Sequence, residues 1–444
     1  MTTRTLPAAS TPAPAPTARP GAGTSPPAIP RRIVAAAVAG NALEFYDFVT
    51  YAFFAVYIGR AFFPASTPLG SLLLSVAVFG VGFFSRPLGG ALIGAFADRA
   101  GRRNAMLLTI ALITVGTLGL ALTPTYASIG LAAPLIVVAC RLVQGVALGG
   151  EVGPSSAFLI EAAPVAQRGL YASWQAASQG LATLVAGAIG VGLSLCLSPD
   201  DLQAWGWRVP FLLGIALLPL ALYLRKAMPE TLHAAATSDA PREGIARTLL
   251  RRRRAVLLAV LVIIGGTVAN YVGNYLATYA VTTLKLPPLA AMGATVMVGA
   301  TTLLFSLLGG WLSDRFGRKP VMLWPRLAHV LVTVPAFLFL IAHPNLPVLL
   351  AVATFLSALT SISGAASMVA VPELFPRGVR ASGMAIAYAA GVSVFGGTTQ
   401  FVVTWLIGAT GNPAAPAWYV AGTGLVTVVA ILALPETRDR ALED

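Results

Sequence analysis

Apolar runs long enough to cross a lipid bilayer are the feature that most constrains this chain. A helix needs about 20 consecutive apolar residues to span the roughly 30 Å hydrocarbon core. Of the 444 residues, 57% are hydrophobic and only 10% are charged, against about 25% charged in ordinary soluble domains. That composition excludes a soluble globular protein. A transmembrane β-barrel is excluded as well, because the sequence lacks the short segments of alternating polarity that barrel strands require. The twelve apolar segments lie at approximately 33–61, 69–97, 105–123, 129–162, 169–196, 207–227, 255–283, 289–313, 321–342, 347–372, 381–409 and 414–435.

The basic residues indicate how these segments are oriented. Of the 29 Lys and Arg residues, 23 fall in the tails and in alternate loops on one side. Three stand at the opposite ends of segments, and Arg86, Arg141 and Arg326 lie inside apolar segments. Because Lys and Arg concentrate in cytoplasmic loops, both termini are predicted to be cytoplasmic. Topology thus explains the net charge of +13, and no nucleic-acid partner is expected.

Three sequence patterns occur twice in the same order and indicate a duplicated six-helix unit. The motif from Gly94 to Arg103 recurs from Gly310 to Lys319, and Pro229-Glu230-Thr231 recurs as Pro435-Glu436-Thr437. Glu161, with the Pro and Arg that follow it, matches Glu373 and its followers. The predicted organisation is a disordered tail, an N-terminal bundle, a cytoplasmic linker, a C-terminal bundle and a short tail, with boundaries at 1–30, 31–227, 228–254, 255–437 and 438–444.

The doubled loop motif G-x-x-x-D-R-x-G-R-[RK] resembles the signature of the major facilitator superfamily. Within it, the stretches Gly40 to Phe48, Ser85 to Gly90, Arg141 to Gly145 and Trp205 to Phe211 resemble the metabolite:proton symporters. The resemblance implies an all-α polytopic membrane protein with 12 transmembrane helices in two six-helix bundles. It also implies a bacterial inner (plasma) membrane location and transport driven by the proton gradient, with no other cofactor, metal site or enzyme activity.

The expected cargo is a small organic anion, with citrate or a related tri- or dicarboxylate first. Over its whole length the chain looks most like the citrate and tricarboxylate branch, notably over residues 173–179 and 395–398. An arginine inside a cavity suits a carboxylate, since its guanidinium offers a bidentate fork. Symport of a zwitterion or another metabolite (betaine, proline, shikimate) remains the alternative, and a membrane receptor or enzyme is a remote one. The expected partners are the organic acid, protons and lipid, and the protein is expected to be a monomer.

Ionisable side chains at mid-membrane depth are the candidates for proton coupling, because a charge there is energetically costly and is usually retained for a function. Three carboxylates meet that condition, Asp47 and Glu44 on the first helix and Glu151 on the fourth. Arg141 lies 12 residues into the fourth helix, close to the level of the acidic pair. We expect Asp47 or Glu44 to take up the proton, while Arg141 switches between that carboxylate and the anionic substrate. A permanent ion pair between these helices is the structural alternative.

Neutral polar residues at helical spacing predict the rest of a cavity lining. The same residues could instead join helices by hydrogen bonds. The predicted substrate-binding residues are Arg141, Gln144, Gln175, Gln179, Asn270, Tyr271, Asn274, Tyr275, Thr398 and Gln400.

The repeated basic loops predict a cytoplasmic gate, in which Asp accepts hydrogen bonds from a facing helix end and Arg pairs with Glu. Arg86 is expected to brace the cytoplasmic end, Arg326 to snorkel to that surface and His329 to be structural. The predicted gate residues are Gly94, Asp98, Arg99, Arg102, Arg103, Gly310, Asp314, Arg315, Arg318, Glu161 and Glu373.

Overall fold

The computed structural model describes residues 31–100, 102–149, 163–216, 251–376 and 380–438, with single positions at 159 and 219. This part of the chain is helical, without strands, and it places a helix in each of the twelve predicted apolar segments. The helices are α1 (Arg31–Phe53 and Ala55–Phe62), α2 (Pro68–Phe84 and Arg86–Ala100), α3 (Arg102–Leu122), α4 (Ala132–Gly149), α5 (Arg168–Cys196), α6 (Val209–Ala216), α7 (Arg253–Thr282), α8 (Pro288–Phe316), α9 (Arg318–Ala342), α10 (Leu346–Glu373), α11 (Arg380–Tyr388 and Gly397–Thr410, joined by the π-helix Ala389–Gly396) and α12 (Ala415–Ala433).

Several sequence-based boundaries fall outside the described residues or shift slightly. The tail 1–30 and most of the linker 228–254 are outside, as are Glu151 and Glu161. Helix α7 begins at Arg253, two residues before the predicted start of the C-terminal bundle.

Nine helices in the described part of the chain are long and apolar enough to cross a membrane. The helices α1, α3 and α6 fall short of that measure, because α3 has only Leu107–Leu122 as its apolar stretch and α6 is described over eight residues. Helix α1 is less apolar than its neighbours because it carries buried polar residues, among them Asn41, Glu44 and Asp47. The departure of α1 from a plain apolar helix therefore marks where polar chemistry enters the membrane.

Two seams of close backbone contact join the first six helices to the last six. Helices α5 and α8 touch along their length, since a Cβ on Gly180 would lie 2.4 Å from the Leu303 nitrogen and one on Gly310 would lie 2.5 Å from the Gly169 carbonyl oxygen. Helices α2 and α11 meet where a Cβ on Gly80 would lie 2.5 Å from the carbonyl oxygen of Gly397. Small residues allow such approach between membrane helices.

A central cavity lies between the seams and encloses about 830 Å³, part of it open to solvent. Its lining comes from α5, α7, α8, α10 and α11, on the halves of these helices that the charge bias assigns to the cytoplasmic side. On the outer side Phe62, Tyr279 and Ala280 are fully buried. The cavity therefore lies toward the ends of the helices that the charge bias predicts to be cytoplasmic, and these three residues are buried toward the opposite ends.

Candidate functional site

Asp47 and Arg141 are joined by a third side chain rather than by a direct ion pair. The amide nitrogen of Gln144 donates to Asp47 Oδ2 at 2.6 Å, and its carbonyl oxygen accepts from Arg141 Nη1 at 2.8 Å. The same amide nitrogen lies 3.1 Å from Thr117 Oγ1. All three members of the chain are buried. Gln144 therefore links the carboxylate to the guanidinium through two hydrogen bonds.

Side-chain atoms without hydrogen-bond partners remain at both ends of the Asp47–Gln144–Arg141 network. Asp47 Oδ1 has no hydrogen-bond partner among the described residues, and neither do Arg141 Nε and Nη2. Arg141 is only 1% exposed. Buried polar groups in proteins are normally satisfied, so these atoms indicate a site that a proton and an acceptor from outside would complete.

Arg86 contradicts its predicted place at the cytoplasmic end. It is buried, and its guanidinium carbon lies 4.1 Å from the ring centre of Phe83 and 4.9 Å from that of Phe48. Arg141 lies over the same Phe48 ring at 5.2 Å and over Tyr51 at 4.5 Å. Cation–π contacts of this kind contribute about 0.5–2 kcal/mol each. Two arginines therefore lie on this aromatic cluster, whereas the sequence analysis placed only Arg141 at the site. The signal was present, since Arg86 lies inside an apolar segment.

The other two predicted proton carriers are less fully described. Glu44 is buried on α1, 6% exposed, one turn from Asp47. Glu151 lies outside the described residues. The structure thus brings Asp47 and Arg141 into one network and leaves the relative roles of Asp47 and Glu44 as a prediction.

On α5, the two predicted glutamines take different places. Gln175 is buried, and its side chain donates to Asn41 Oδ1 of α1 at 3.0 Å. The Asn41 side chain donates in turn to the backbone carbonyl oxygen of Gln175 at 3.3 Å. Gln175 therefore ties α5 to α1, the structural alternative for such residues. Gln179, one turn away, lines the central cavity. Asn41 is a polar contact that sequence reasoning missed.

The predicted polar residues of α7 lie in two surroundings, some at the cavities and one packed against α11. Asn270 and Tyr271 line the central cavity, and Asn274 lines a small void beside it. Tyr271 also packs edge-on against Phe83 at 5.4 Å, which places it beside Arg86. Tyr275 is buried, and its hydroxyl accepts a hydrogen bond from Thr404 of α11 at 2.9 Å.

The two predicted residues of α11 do not line the described cavities. Thr398 donates to the carbonyl oxygen of Val394 in its own helix at 2.6 Å. Gln400 is 1% exposed, and neither of its side-chain polar atoms has a hydrogen-bond partner among the described residues.

In the second basic loop, Asp314 contacts the start of a helix in the other half. Its two carboxylate oxygens accept hydrogen bonds from the backbone nitrogens of Gly169 and Leu170, at 2.7 and 2.9 Å. Such unpaired N–H groups at a helix N-terminus favour an anion. Arg318 pairs with Asp314 at 2.8 Å and with Glu373 at 3.3 Å.

The remaining gate residues are placed less centrally or are not described. Arg315 is exposed and lies over the ring of Trp311 in its own helix. The first basic loop is described only as backbone, so the side chains of Asp98, Arg99, Arg102 and Arg103 fall outside the description, as does the surrounding of Gly94.

Glu436 caps the start of α9 in the second half. Its carboxylate accepts hydrogen bonds from the backbone nitrogens of Arg318 at 2.8 Å and Lys319 at 2.9 Å, and from Thr437 and Arg438. Partial burial raises the pKa of Glu436, but these four backbone donors outweigh it and hold the pKa below the ordinary value of 4.5.

Arg326 corrects a second expectation from the sequence. It is 1% exposed and donates to the carbonyl oxygen of Gly265 in α7 at 3.3 Å. The expectation that it snorkels to the surface is therefore wrong, because α9 turns this residue toward α7. No group of three or more potential metal ligands occurs among the described residues.

The chain matches the family described as "Sugar (and other) transporter" over residues 33–247 and 236–444. It belongs to this family, within the major facilitator superfamily. The citrate-proton symporter of Salmonella typhi is 37% identical over 383 residues, covering 86% of this chain and 88% of that protein. The alpha-ketoglutarate permease of Escherichia coli K12 is 34% identical over 409 residues, covering 90% and 93%. These matches confirm the predicted superfamily and place the chain among transporters, not enzymes.

A solved family structure supports the same fold. The crystal structure of a D-xylose-proton symporter matches with a TM-score of 0.75 at 22% identity, covering 93% of this chain and 99% of that one. The predicted all-helical transporter fold is confirmed.

Proposed function

We propose that the protein is a proton-coupled symporter that imports a small organic anion, citrate or a related tri- or dicarboxylate, by alternating access. The observation that carries the proposal is the Asp47–Gln144–Arg141 chain, which ends in unmet hydrogen-bonding atoms on both sides. The relatives that transport citrate and alpha-ketoglutarate support the substrate class.

The two arginines at the aromatic cluster favour an anion over a zwitterion. Arg86 and Arg141 share the Phe48 ring, and among the described residues neither forms an ion pair within the salt-bridge distance. Each buried donor left unmet costs about 1–3 kcal/mol. A carboxylate of the substrate that accepts from Arg141 Nε and Nη2 would remove that cost. The charge balance of the site thus improves when an anion enters.

The same arrangement couples the anion to a proton. Ionised Asp47 and the substrate carboxylate compete for the positive charge of Arg141, one through Gln144 and one directly. A proton on Asp47 removes the competitor, so proton binding and anion binding reinforce each other. The anion and the proton therefore bind to the site and leave it together. In this arrangement, anion transport is coupled to the proton gradient without a further cofactor.

The topology completes the proposal. We place the protein in the bacterial inner membrane with both termini in the cytoplasm. The bundles 31–227 and 255–437 form the two moving bodies, the linker 228–254 joins them, and 1–30 and 438–444 are tails. The Asp314 contact with the start of α5 serves as part of the cytoplasmic gate.

Uptake into membrane vesicles tests the proposal. Radiolabelled citrate, tricarballylate, α-ketoglutarate, shikimate and betaine are offered with and without an imposed pH gradient, acid outside. We expect a tri- or dicarboxylate to accumulate only with the gradient, and a protonophore to abolish the accumulation. Preferential accumulation of betaine or shikimate contradicts the substrate class, and a requirement for ATP contradicts the mechanism.

A further inference from the structure

The second half of the molecule contains a buried cation that the proposed mechanism leaves unused. Arg326 on α9 is 1% exposed. Its hydrogen bond within the described part of the chain goes to the Gly265 carbonyl oxygen, and its Nε has no partner there. The described acids nearest in sequence, Asp314 and Glu373, are engaged with Arg318 instead. A membrane-buried charge without a counter-ion is expensive, and one backbone carbonyl compensates little of that expense.

This guanidinium lies directly behind the wall of the central cavity. Gly266 lines the cavity, and a Cβ added to it would lie 3.4 Å from Arg326 Nη2. The guanidinium therefore lies next to a cavity-lining residue that has no side chain.

A second chamber, with polar residues in a mostly apolar lining, extends the cavity toward the same part of α9. His329, one turn beyond Arg326, lines this chamber together with Thr333. The chamber and the central cavity share four lining residues, which are Asn270, Thr302, Thr360 and Ser361. Hydroxyl and amide groups thus connect the cavity to the surroundings of the buried cation.

We propose that Arg326, reached past Gly266, is a second anion contact that holds another carboxylate of a polycarboxylate whose first carboxylate is on Arg141 and Arg86. This inference rests on the proposed function and specifies it. Along α7, Gly266 and Tyr271 are five residues apart, about 7.5 Å at 1.5 Å per residue. A tricarboxylate with a charge-assisted hydrogen bond of about 2.8 Å at each end is long enough to reach between these two levels of α7. The substrate then bridges the two halves of the molecule.

Equilibrium binding to the purified full chain in lipid nanodiscs tests the contact without any gradient. Citrate, α-ketoglutarate and the monocarboxylate lactate are titrated against the wild type and Arg326→Gln, Arg326→Lys and Gly266→Ala. Arg326→Gln keeps a donor for the Gly265 carbonyl oxygen but loses the charge, whereas Arg326→Lys keeps the charge. Gly266→Ala leaves Arg326 in place and covers Nη2 with a methyl group. Gly422→Ala is the matched control, since a Cβ there meets nothing within 4 Å.

We expect Arg326→Gln and Gly266→Ala to weaken citrate binding about tenfold, the loss of about one charge-assisted hydrogen bond. Arg326→Lys and Gly422→Ala should stay within about threefold of the wild type, and lactate binding should be unchanged in all variants. Thermal unfolding of each variant establishes that it is folded. Citrate binding that survives in both Arg326→Gln and Gly266→Ala but is lost in Arg141→Gln overturns this inference and leaves the proposed function standing. An equal loss of lactate affinity also overturns it. A wild type that binds none of the polycarboxylates overturns the proposed function itself.

Discussion

The two halves of the molecule share a repeated sequence plan but differ in their buried charge. In the first half, buried Asp47 on α1 is linked through Gln144 to buried Arg141 on α4, and Arg86 on α2 lies over the same Phe48 ring as Arg141. Helices α7 to α12 carry no carboxylate at mid-depth in the sequence. The polar groups in their described cavity lining are amides and hydroxyls, and Arg326 lies next to the lining residue Gly266. Duplication therefore supplied the scaffold twice, while we propose that proton chemistry occupies one copy. The first half is expected to respond to the proton and the second to the shape of the cargo.

Removing the carboxylate of the first half should have the largest effect. A gradient of two pH units supplies about 2.7 kcal/mol per proton, enough for roughly hundredfold accumulation. We expect Asp47→Asn to abolish this accumulation, because the coupling proton loses its site. Exchange of labelled for unlabelled substrate should persist, since Arg141 remains. Vesicle uptake and counterflow on the same preparation measure both.

Glu44→Gln is the matched comparison on the same helix, one turn away. If Asp47 carries the proton, Glu44→Gln retains gradient-driven accumulation while Asp47→Asn loses it. The reverse result would assign the proton to Glu44. Accumulation that survives in the double variant would contradict proton coupling in the first half.

Substrate affinity should divide unequally between the halves. Arg141→Gln removes a buried charge-assisted contact worth about 3 kcal/mol, so we expect roughly a hundredfold weaker binding of citrate. Asn274→Ala removes a neutral hydrogen-bonding group worth about 1 kcal/mol, and roughly fivefold weaker binding should follow. Isothermal titration in detergent compares the two. Equal losses would mean that the cargo is held by shape and neutral contacts rather than by the charge of the first half.

Much of this asymmetry was predictable from the sequence, because charges inside apolar runs are rare and conspicuous. The helices and the predicted similar depth of Asp47 and Arg141 follow from residue type and spacing, and the family follows from the resemblance of the repeated loop motif. The partners do not. Gln144 is a bridge only because α1 and α4 pack at one particular rotation.

Arg86 and Arg326 show the limit of one-dimensional reasoning most clearly. Position along a helix suggested a cytoplasmic brace for one and a snorkelling side chain for the other. Their burial depends on which face each helix turns inward, and on the break at Ser85 that begins a new helical segment at Arg86. Neither determinant is visible in residue order. Likewise, Gln175 is polar at cavity depth, yet its partner Asn41 fixes it as a tie between helices.

The seam between the halves should respond to a single methyl group. At Gly180 of α5, a Cβ would lie 2.4 Å from a backbone nitrogen of α8, and backbone atoms cannot move aside cheaply. Overpacking of this kind costs about 1–3 kcal/mol, so we expect Gly180→Ala to slow transport roughly tenfold. On the same helix, Gly192→Ala is the control, because a Cβ there meets nothing within 4 Å. Uptake rates normalised to folded protein measure the difference, and equal rates would show that the halves separate at this seam.

The smallest effect is expected at the cytoplasmic end, where the repeated Pro-Glu-Thr motif offers a comparison between the halves. The folded-state pKa of Glu436 is held below its ordinary value of 4.5 by four backbone donors. A lowered pKa means that the carboxylate stabilises the folded state fully above 4.5, and that this stabilisation is lost as the pH falls further. Glu436→Gln should therefore cost about 1 kcal/mol near neutral pH, the usual worth of a helix cap, and the difference from wild type should shrink under acid. Thermal unfolding in detergent across this pH range measures it. Glu230→Gln changes the counterpart residue in the first half and tests whether that copy of the motif also caps a helix. An equal loss of stability would indicate a cap in both halves, whereas an unchanged unfolding midpoint would indicate a cap in the second half alone. A pH-independent deficit in Glu436→Gln would instead mean that packing, not the carboxylate charge, holds this end together.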